Sequence, residues 1–347
     1  MITKRELMEI NLSVNLTRYN KIKSRFRIFM IGLLRYLPHN WRDFIFGFKR
    51  FRAKNRIFPS PAIIFFTEKE KCNGGFADRM KGIVSLFHFC LCKNISFKIN
   101  YAVPFELSDF LLPNEYNWQI DKQQISFNRK ESRFFFLYGA KDRKVKLKRL
   151  LKFTSKKQVQ AFFNLDFVCE LNEVFSTNYT WSELYKKLFK PTIELQNIIN
   201  YHKKEMNISY ISVHFRFIGL LGDFNEREEN CLVEKEKIEL MNKNLQALQK
   251  LKESFANKKI FVAADSNLFI EQAKKIENVY ALSGNIIHID NVEDEAPSSY
   301  LRVFLDFYLL SESEKVFSIC TKEMYQSEFP MYAAKLNNIP FERILIE

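Results

Sequence analysis

The sequence contains few of the residues that interrupt regular structure: 9 Gly and 9 Pro occur among 347 residues. So small a content excludes a collagen-like or a low-complexity, disordered protein. Hydrophobic residues make up 47% of the chain and 36 residues are Phe, which is enough apolar material for two buried cores. A chain of this length is expected to form two domains rather than one.

The chain also lacks the cysteine patterns of a zinc site or a disulfide framework. None of its six Cys forms a CxxC pair, and Cys90 and Cys92 lie in the apolar run LFHFCLC, where Cys behaves as a small hydrophobic residue. We therefore expect reduced thiols and a cytoplasmic protein. The apolar run at residues 26–37 is shorter than the roughly 20 residues that cross a bilayer, and no signal-peptide cleavage site follows it.

Positive charge is concentrated in a basic N-terminal arm, residues 1–60. This arm contains fourteen Lys or Arg and three Asp or Glu, so it holds +11 of the net charge of +14. Its apolar run at 26–37 is flanked by arginines, a pattern that suits an anionic membrane surface. The alternative is a solvated, partly helical extension. A second basic stretch, residues 141–157, could also bind an anionic surface, although Lys-rich helices are usually only solvated.

The chain after Pro191 alternates short apolar runs with helical patterns. Strands are predicted at 209–217, 259–264, 286–289, 316–320 and 341–346, and helices at 234–254, 267–276, 299–311 and 325–337. A strand–helix–strand order also occurs earlier, at 62–67, 77–93 and 95–100. This alternation indicates parallel sheets covered by helices. We predict an N-terminal α/β domain over 61–205 and a C-terminal α/β domain over 206–347.

Ligands of parallel sheets bind beyond the carboxyl ends of the strands, and two predicted helices begin there with suggestive residues. Gly74 and Gly75, in the sequence NGGFADR, let the backbone approach a ligand before a helix N-terminus that favours phosphate. Tight packing alone would also explain both glycines. Ser327 precedes the last helix, where it is first of all a helix cap. The same position could place its hydroxyl and the following amides around a phosphate.

His214 and Arg216 form the third candidate group, at the end of the predicted strand 209–217. Alternate residues of a strand project from the same face, so the two side chains point to one side. The planar guanidinium of Arg216 is well suited to a phosphate. The alternative is a buried arginine paired with Asp223 or with another carboxylate.

Together these segments resemble the GT-B fucosyltransferases, the family of the α-1,2-, α-1,6- and protein O-fucosyltransferases and the rhizobial nodulation fucosyltransferase. The sequence GGFADR is similar to the glycine-rich loop of that family, His214-x-Arg216 to its HxRRxD strand end, and Ser327-Glu328-Phe329 to its late Ser-x-Phe segment. FVAADS at 261–266 resembles its strand ending in a Ser/Thr-Asp pair, and LDFYLLS at 305–311 resembles its guanine-reading helix. The resemblance covers residues 62–100 and 209–345.

The chain departs from the family pattern at the HxRRxD strand end. The second arginine of the motif is Phe217 here, and the acidic residue comes later, at Asp223. Because of this departure, neither the second phosphate contact of the family nor its catalytic carboxylate has a matching residue at the family's position. It also leaves room for a GDP-sugar other than GDP-fucose.

The resemblance implies a GT-B fold, in which two Rossmann-like, doubly wound domains face each other across a cleft. It also implies an inverting, metal-independent transfer of L-fucose from GDP-fucose to a hydroxyl of a glycan acceptor. The residues implied in donor binding are Gly74, Gly75, Phe76, Arg79, His214, Arg216, Asp265, Asp306, Ser327, Glu328 and Phe329.

Individual roles follow from the resemblance together with the positions of the residues at the predicted strand ends. Arg216 and the amides near Ser327 would neutralise the departing diphosphate. Asp306 would accept the guanine N–H groups. Asp265 would support the nucleotide pocket or cap the following helix. The general base for the acceptor hydroxyl would be Asp223 or Glu226.

Two further alternatives remain open. The chain could be a non-catalytic relic of the fold that binds glycans, or a basic protein that binds membranes or nucleic acid through its arm, although it carries no specific nucleic-acid motif. No metal-binding DxD motif is present, and the acidic residues Asp290, Glu293, Asp294 and Glu295 form either a cation site or a solvated loop. The expected partners are a nucleotide-sugar donor, a glycan acceptor and, through residues 1–57, an anionic surface at the inner face of the membrane.

Overall fold

Two parallel β-sheets organise the chain. The computed structural model describes residues 45, 47, 48, 50–68, 74–139, 141–206, 209–223, 231–284, 286, 289 and 296–347. The strands are β1 (Ile63–Phe66), β2 (Phe97–Asn100), β3 (Leu111–Pro113), β4 (Ser132–Leu137), β5 (Gln158–Phe163), β6 (Phe189–Pro191), β7 (Tyr210–Phe215), β8 (Lys259–Ala264), β9 (Val279–Tyr280), β10 (Val316–Cys320) and β11 (Phe341–Leu345).

The α-helices of the described residues alternate with these strands. They are α1 (Phe76–Lys93), α2 (Arg143–Leu151), α3 (Val168–Phe175), α4 (Trp181–Leu188), α5 (Ile193–Glu205), α6 (Glu234–Ser254), α7 (Asn267–Ala273), α8 (Leu301–Ser311) and α9 (Phe329–Leu336). None of the helices in this part of the chain is long and apolar enough to cross a bilayer.

The first sheet has the order β2-β1-β5-β4, and the second has the order β11-β10-β7-β8-β9. Neighbouring strands in both are parallel, and β3 and β6 form a small antiparallel pair. Strands β1, β5, β7 and β10 are buried along their whole length, as expected for parallel strands covered on both faces. The first sheet precedes residue 206 and the second follows it, while the domain bounds 61–205 and 206–347 remain a proposal.

Helix α1 lies at the centre of the packing. Almost all of its residues from Phe76 to Cys90 are buried. Gly82 allows this helix to lie directly on β5, because a Cβ atom there would come within 1.9 Å of the carbonyl oxygen of Phe163. The helix therefore presents its N-terminal turn at a fixed position beside the second sheet.

Aromatic residues join the two halves of the chain in one core. The ring of Phe76 in α1 lies 5.0 Å from the rings of both Phe304 and Phe307 in α8. A hydrogen bond accompanies this contact, since the hydroxyl groups of Tyr185 in α4 and Tyr308 in α8 are 3.1 Å apart. The two sheets are consequently held together through the helices between them.

Most predicted elements of the second half are confirmed. The helix 234–254 and the strands 259–264 and 316–320 occur with the predicted bounds. The predicted strand 286–289 is wrong at both of its described residues, since Ile286 has no regular structure and Ile289 lies in a turn. Ile289 is buried in the main core, and a short apolar run does not distinguish a core turn from a strand. The edge strand is β9, beside β8.

Candidate functional site

The loops at the carboxyl ends of β7, β8 and β10 meet at one edge of the second sheet. His214 lies near the end of β7 and Arg216 directly follows that strand, while Asp265 follows β8. The amide of Tyr325, in the loop after β10, donates a hydrogen bond of 3.3 Å to the carbonyl oxygen of Arg216. The predicted strand-end residues therefore form one group in space.

Arg216 is held by Asp265. Its guanidinium Nη1 lies 3.1 Å from the carboxylate Oδ2 of Asp265, whose side chain is 3% exposed, whereas that of Arg216 is 16% exposed. Asp265 also accepts the amides of Phe217 and Ile218 at 2.7 and 2.8 Å. Burial raises the pKa of Asp265, against the opposing effects of Arg216 and the two amides. The carboxylate thus fixes both Arg216 and the backbone turn after it, in which Ile218 has a φ of 47°.

The alternative pairing of Arg216 with Asp223 is wrong, whereas the alternative pairing with another carboxylate is confirmed. The carboxylate partner of Arg216 is Asp265, whereas Oδ2 of Asp223 accepts the hydroxyl of Ser266 at 2.9 Å and the amide of Leu268 at 2.8 Å. Ser266 in turn accepts the amide of Phe269, so Ser266 and Asp223 together cap α7. Oδ1 of Asp223 is buried and has no hydrogen-bond partner within the described chain.

His214 is buried and neutral. Its burial, together with the positive charges of Arg216 and Arg343, lowers its pKa to about 3. Its ring centroid lies 5.6 Å from that of Phe329, and its Nδ1 atom has no hydrogen-bond partner among the described residues. An uncharged imidazole with an unused ring nitrogen can donate to or accept from a ligand.

The segment Ser327–Glu328–Phe329 lies beside His214 and α1. The Ser327 hydroxyl accepts the amide of Phe329 at 3.2 Å. The N-cap of α9 is Glu328, whose side chain makes no capping hydrogen bond, so the helix cap predicted at Ser327 is wrong. Glu328 forms an ion pair with Lys81 of α1, which also pairs with Asp78 at 2.6 Å. The ion pair connects the N-terminal turn of α9 to the first half of the chain.

The glycine loop before α1 is stabilised by a buried arginine. Gly74 has a φ of +78°, which favours glycine, and Gly75 is the N-cap of α1 without a capping side chain. Arg79 is 1% exposed and donates to the carbonyl oxygen of Gly74 at 2.8 Å and to that of Val103 at 2.9 Å. In this position Arg79 fixes the shape of the loop, and its contact with a ligand remains a prediction, as does that of the buried Phe76.

Asp306 lies in α8 and is paired with Arg302 on the same helix. The Nε atom of Arg302 lies 3.0 and 3.1 Å from the two carboxylate oxygens. Burial raises the pKa of Asp306, an effect that Arg302 opposes. The Nη2 atom of Arg302 is buried and has no hydrogen-bond partner among the described residues. The guanine contact predicted for Asp306 would therefore involve an ion pair rather than an isolated carboxylate.

Sequence reasoning missed Arg343 on β11. Arg343 is aligned across the sheet with His214 of β7, because Ser318 of β10, the strand between them, is in register with both residues. Its Nη2 atom donates to the carbonyl oxygen of Ser327 at 2.7 Å, and no carboxylate within the described chain forms an ion pair with it. Phe217, which occupies the place of the second motif arginine, is 1% exposed and packs on Phe269. Only the strand order could have identified Arg343, since nothing in its local sequence marks it.

Several predicted features lie outside the described residues. These are Glu226, the acidic residues at 290–295 and residues 1–44 of the basic arm. In the part of the chain that is described, no cluster of three or more His, Cys, Asp or Glu side chains is suited to a metal ion.

Comparison with known proteins establishes the fold. No family model matches the sequence, and no curated protein is similar to it in sequence. Among solved structures, a substituted form of FUT1 from Arabidopsis thaliana in complex with GDP matches with a TM-score of 0.50 and 12% identity, over 92% of this chain and 77% of that chain. Fucosyltransferase NodZ from Bradyrhizobium matches with a TM-score of 0.49 and 16% identity, over 79% and 93%. POFUT1 in complex with GDP matches with a TM-score of 0.45 and 11% identity, over 83% and 98%.

At such low identity the likeness shows the fold alone. The chain has the GT-B fold, with two parallel α/β units packed against each other. The resemblance drawn from the short motifs is thereby confirmed at the level of the fold.

Proposed function

We propose that the protein is a glycosyltransferase that binds a GDP-sugar at the carboxyl ends of β7, β8 and β10. The donor is GDP-fucose and the acceptor is a hydroxyl of a glycan. The fold shared with a structure of FUT1 in complex with GDP supports this proposal. The observation that carries it is the ion pair of Arg216 and Asp265, which holds a partly exposed guanidinium where parallel sheets bind ligands.

In the proposed reaction the acceptor oxygen forms a bond to the anomeric carbon of the sugar. The bond from this carbon to the diphosphate oxygen breaks, and its electron pair leaves with GDP. Fixed donors that stabilise the departing diphosphate lower the barrier most, because they need no reorganisation during the reaction. Arg216 is such a donor, since Asp265 already orients it. Backbone amides near Ser327 are the second group that we assign to the diphosphate.

We assign a further phosphate contact to Arg343, in place of the motif arginine that is absent at Phe217. Arg343 and Arg216 both lower the pKa of His214 electrostatically, so both positive charges lie near that residue. Arg343 also holds the carbonyl oxygen of Ser327. The two arginines therefore supply positive charge that a metal ion supplies in other transferases, and we propose that the reaction is metal-independent.

The acceptor hydroxyl must transfer its proton to a base. Asp223 and Glu226 remain the proposed candidates. For Asp223 the geometry offers one oxygen, Oδ1, because the other is engaged at the N-terminus of α7. Gly74, Gly75 and the N-terminal turn of α1 are proposed to approach the donor from the first sheet.

Assays with a panel of nucleotide sugars test this function directly. The protein should release GDP from GDP-fucose, or transfer the sugar to an oligosaccharide, and UDP- and TDP-sugars should be inactive. Activity should persist in EDTA. Activity restricted to UDP- or TDP-sugars would contradict the donor assignment. Loss of turnover in EDTA with recovery in Mg²⁺ would contradict the metal-independent reaction and would indicate the acidic residues at 290–295 as metal ligands. The location at the inner face of the membrane and the contact through residues 1–57 are also proposals, tested by vesicle binding after deletion of residues 1–57.

A further inference from the structure

A cationic cavity lies on the first sheet, away from the strand ends of the second. Strand β4, helix α2 and the turn that follows α2 line an open cavity of about 420 Å³. Four basic residues line the cavity, namely Arg133, Lys148, Arg149 and Lys152. None of the lining residues is acidic, and Arg133, Lys148 and Lys152 have no carboxylate partner within the described chain. The cavity therefore concentrates unbalanced positive charge.

The two arginines of this cavity are held in place by their surroundings. The guanidinium of Arg133 lies 4.9 Å from the ring centroid of Phe153 and donates to the carbonyl oxygen of Thr154 at 3.3 Å. The guanidinium of Arg149 lies 4.9 Å from the ring centroid of Phe135 and donates to a backbone carbonyl at 2.8 Å. Because both side chains are already oriented, an anion that binds them does not have to order them.

Two lysines of the cavity repel each other, and a bound anion would reduce this repulsion. Lys148 lies in the last turn of α2 and Lys152 is the C-cap residue that follows the helix; both are exposed, and they are four residues apart. Like charges at this spacing repel each other around the end of the helix, and the neighbouring Arg149 increases the local charge. A bound phosphate group would convert this repulsion into attraction.

Exposed apolar side chains accompany the positive charge. Val145, at the rim of the cavity, is 57% exposed. On the other side of the edge strand β4, a second cavity shares Arg133 and is lined by Phe48, which is 50% exposed and lies 4.9 Å from the guanidinium of Arg129. A surface that combines basic and exposed apolar side chains suits the interface of a bilayer better than a small soluble anion.

We propose that the cavity between β4 and α2 binds the phosphate-bearing headgroups of anionic phospholipids, with Val145 and Phe48 against the lipid interface. This contact does not require residues 1–44 and is independent of the nucleotide site. It would hold the enzyme on a membrane through its folded part.

Co-sedimentation of the full chain with vesicles tests the proposal. The cavity variant carries Arg133→Gln, Lys148→Gln and Lys152→Gln, and the control variant carries Lys204→Gln, Lys235→Gln and Lys250→Gln, three exposed lysines of α5 and α6. Both lose the same charge. Vesicles of phosphatidylglycerol and phosphatidylcholine are compared with pure phosphatidylcholine at one ionic strength, and thermal melting verifies that the variants are folded.

The cavity variant should bind the anionic vesicles about tenfold or more weakly than wild type, whereas the control should lose much less. Equal losses in both variants would show that only net charge matters and would overturn the proposal. Unchanged binding of the folded cavity variant would overturn it too. If inorganic phosphate at fixed ionic strength stabilises the wild type but not the cavity variant, while both bind vesicles equally, the ligand is a soluble phosphate and the lipid assignment is wrong.

Discussion

Arg216 and Asp265 stand at the ends of two adjacent parallel strands and form an ion pair of 3.1 Å across them. Asp265 also accepts the two amides that follow Arg216 in the chain. One carboxylate thus determines both where the guanidinium lies and how the backbone turns away from it. An arginine fixed in this way, and still partly exposed, is suited to bind an anion whose charge increases during a reaction.

Replacement of Asp265 should reveal this dependence. Asp265→Asn leaves Arg216 without its carboxylate and weakens two buried hydrogen bonds, so we expect a loss of roughly 3 kcal/mol in the free energy of unfolding. Affinity for GDP should fall as well. Asp223→Asn is the matched control, because it weakens the cap of α7 and should lower stability by about 1 kcal/mol. Urea unfolding and GDP titration of both variants measure the difference, and equal stability of the two would contradict the role of Asp265.

His214 predicts a dependence of stability on pH. Its folded-state pKa of about 3 is below the usual value of 6.5, so between these values the unfolded chain binds a proton at this residue and the folded chain does not. The part of the folding stability that depends on an uncharged His214 is therefore fully present above about pH 6.5, and it is lost as the pH falls towards 3. His88, with a pKa of about 4, contributes in the same range.

Melting temperatures of wild type and His214→Gln between pH 7 and pH 4 test this dependence. The variant should lose less stability on acidification than wild type. His88→Gln serves as a comparison and should also lose less stability than wild type, because His88 is the other buried histidine among the described residues. Parallel pH profiles for wild type and His214→Gln would show that His214 is not held neutral by the fold.

The guanine assignment of Asp306 can be tested with two nucleotides. GDP should raise the melting temperature by mass action on the folded state, and UDP should raise it much less. Asp306→Asn should reduce the effect of GDP to that of UDP. Because Arg302 loses its partner in that variant, Arg302→Gln is needed as the control for the ion pair. Equal shifts with GDP and UDP in wild type would remove the guanine assignment.

The role of Arg343 predicts a selective loss of diphosphate binding. Arg343→Gln should weaken GDP binding by about tenfold, since hydrogen bonds to charged groups contribute about 1.5–3 kcal/mol, and should change GMP binding less. Lys315→Gln is the matched control, because Lys315 precedes β10 and pairs with Glu342, the neighbour of Arg343. Calorimetric titration gives both affinities. If wild type binds GDP and Arg343→Gln binds it equally well, Arg343 does not contact the diphosphate.

The fold was largely predictable because its signals are local. Residues 259–264 and 316–320 are apolar runs of strand length, and the helix 234–254 has an amphipathic pattern. The site was only partly predictable. His214 and Arg216 stand out as polar residues in an apolar strand, but the partner of Arg216 depends on which strand lies beside β7. Arg343 depends on the register of three strands, and Ile289, the last residue of the apolar run predicted as a strand, lies in a turn of the core. These properties arise from tertiary pairing, which a single sequence does not specify.

The most direct test of the account is Arg216→Lys, with turnover and melting temperature measured on the same preparation. Lysine keeps the positive charge and can still pair with Asp265, but it cannot make two parallel N–H contacts to a diphosphate. We expect a folded variant whose turnover of GDP-fucose falls roughly a hundredfold, which corresponds to about 3 kcal/mol of lost stabilisation of the transition state. An arginine with a structural role alone would give the opposite pattern, a lower melting temperature with an unchanged rate for the folded protein. A folded Arg216→Lys variant with wild-type turnover would contradict the claim that Arg216 contacts the departing diphosphate.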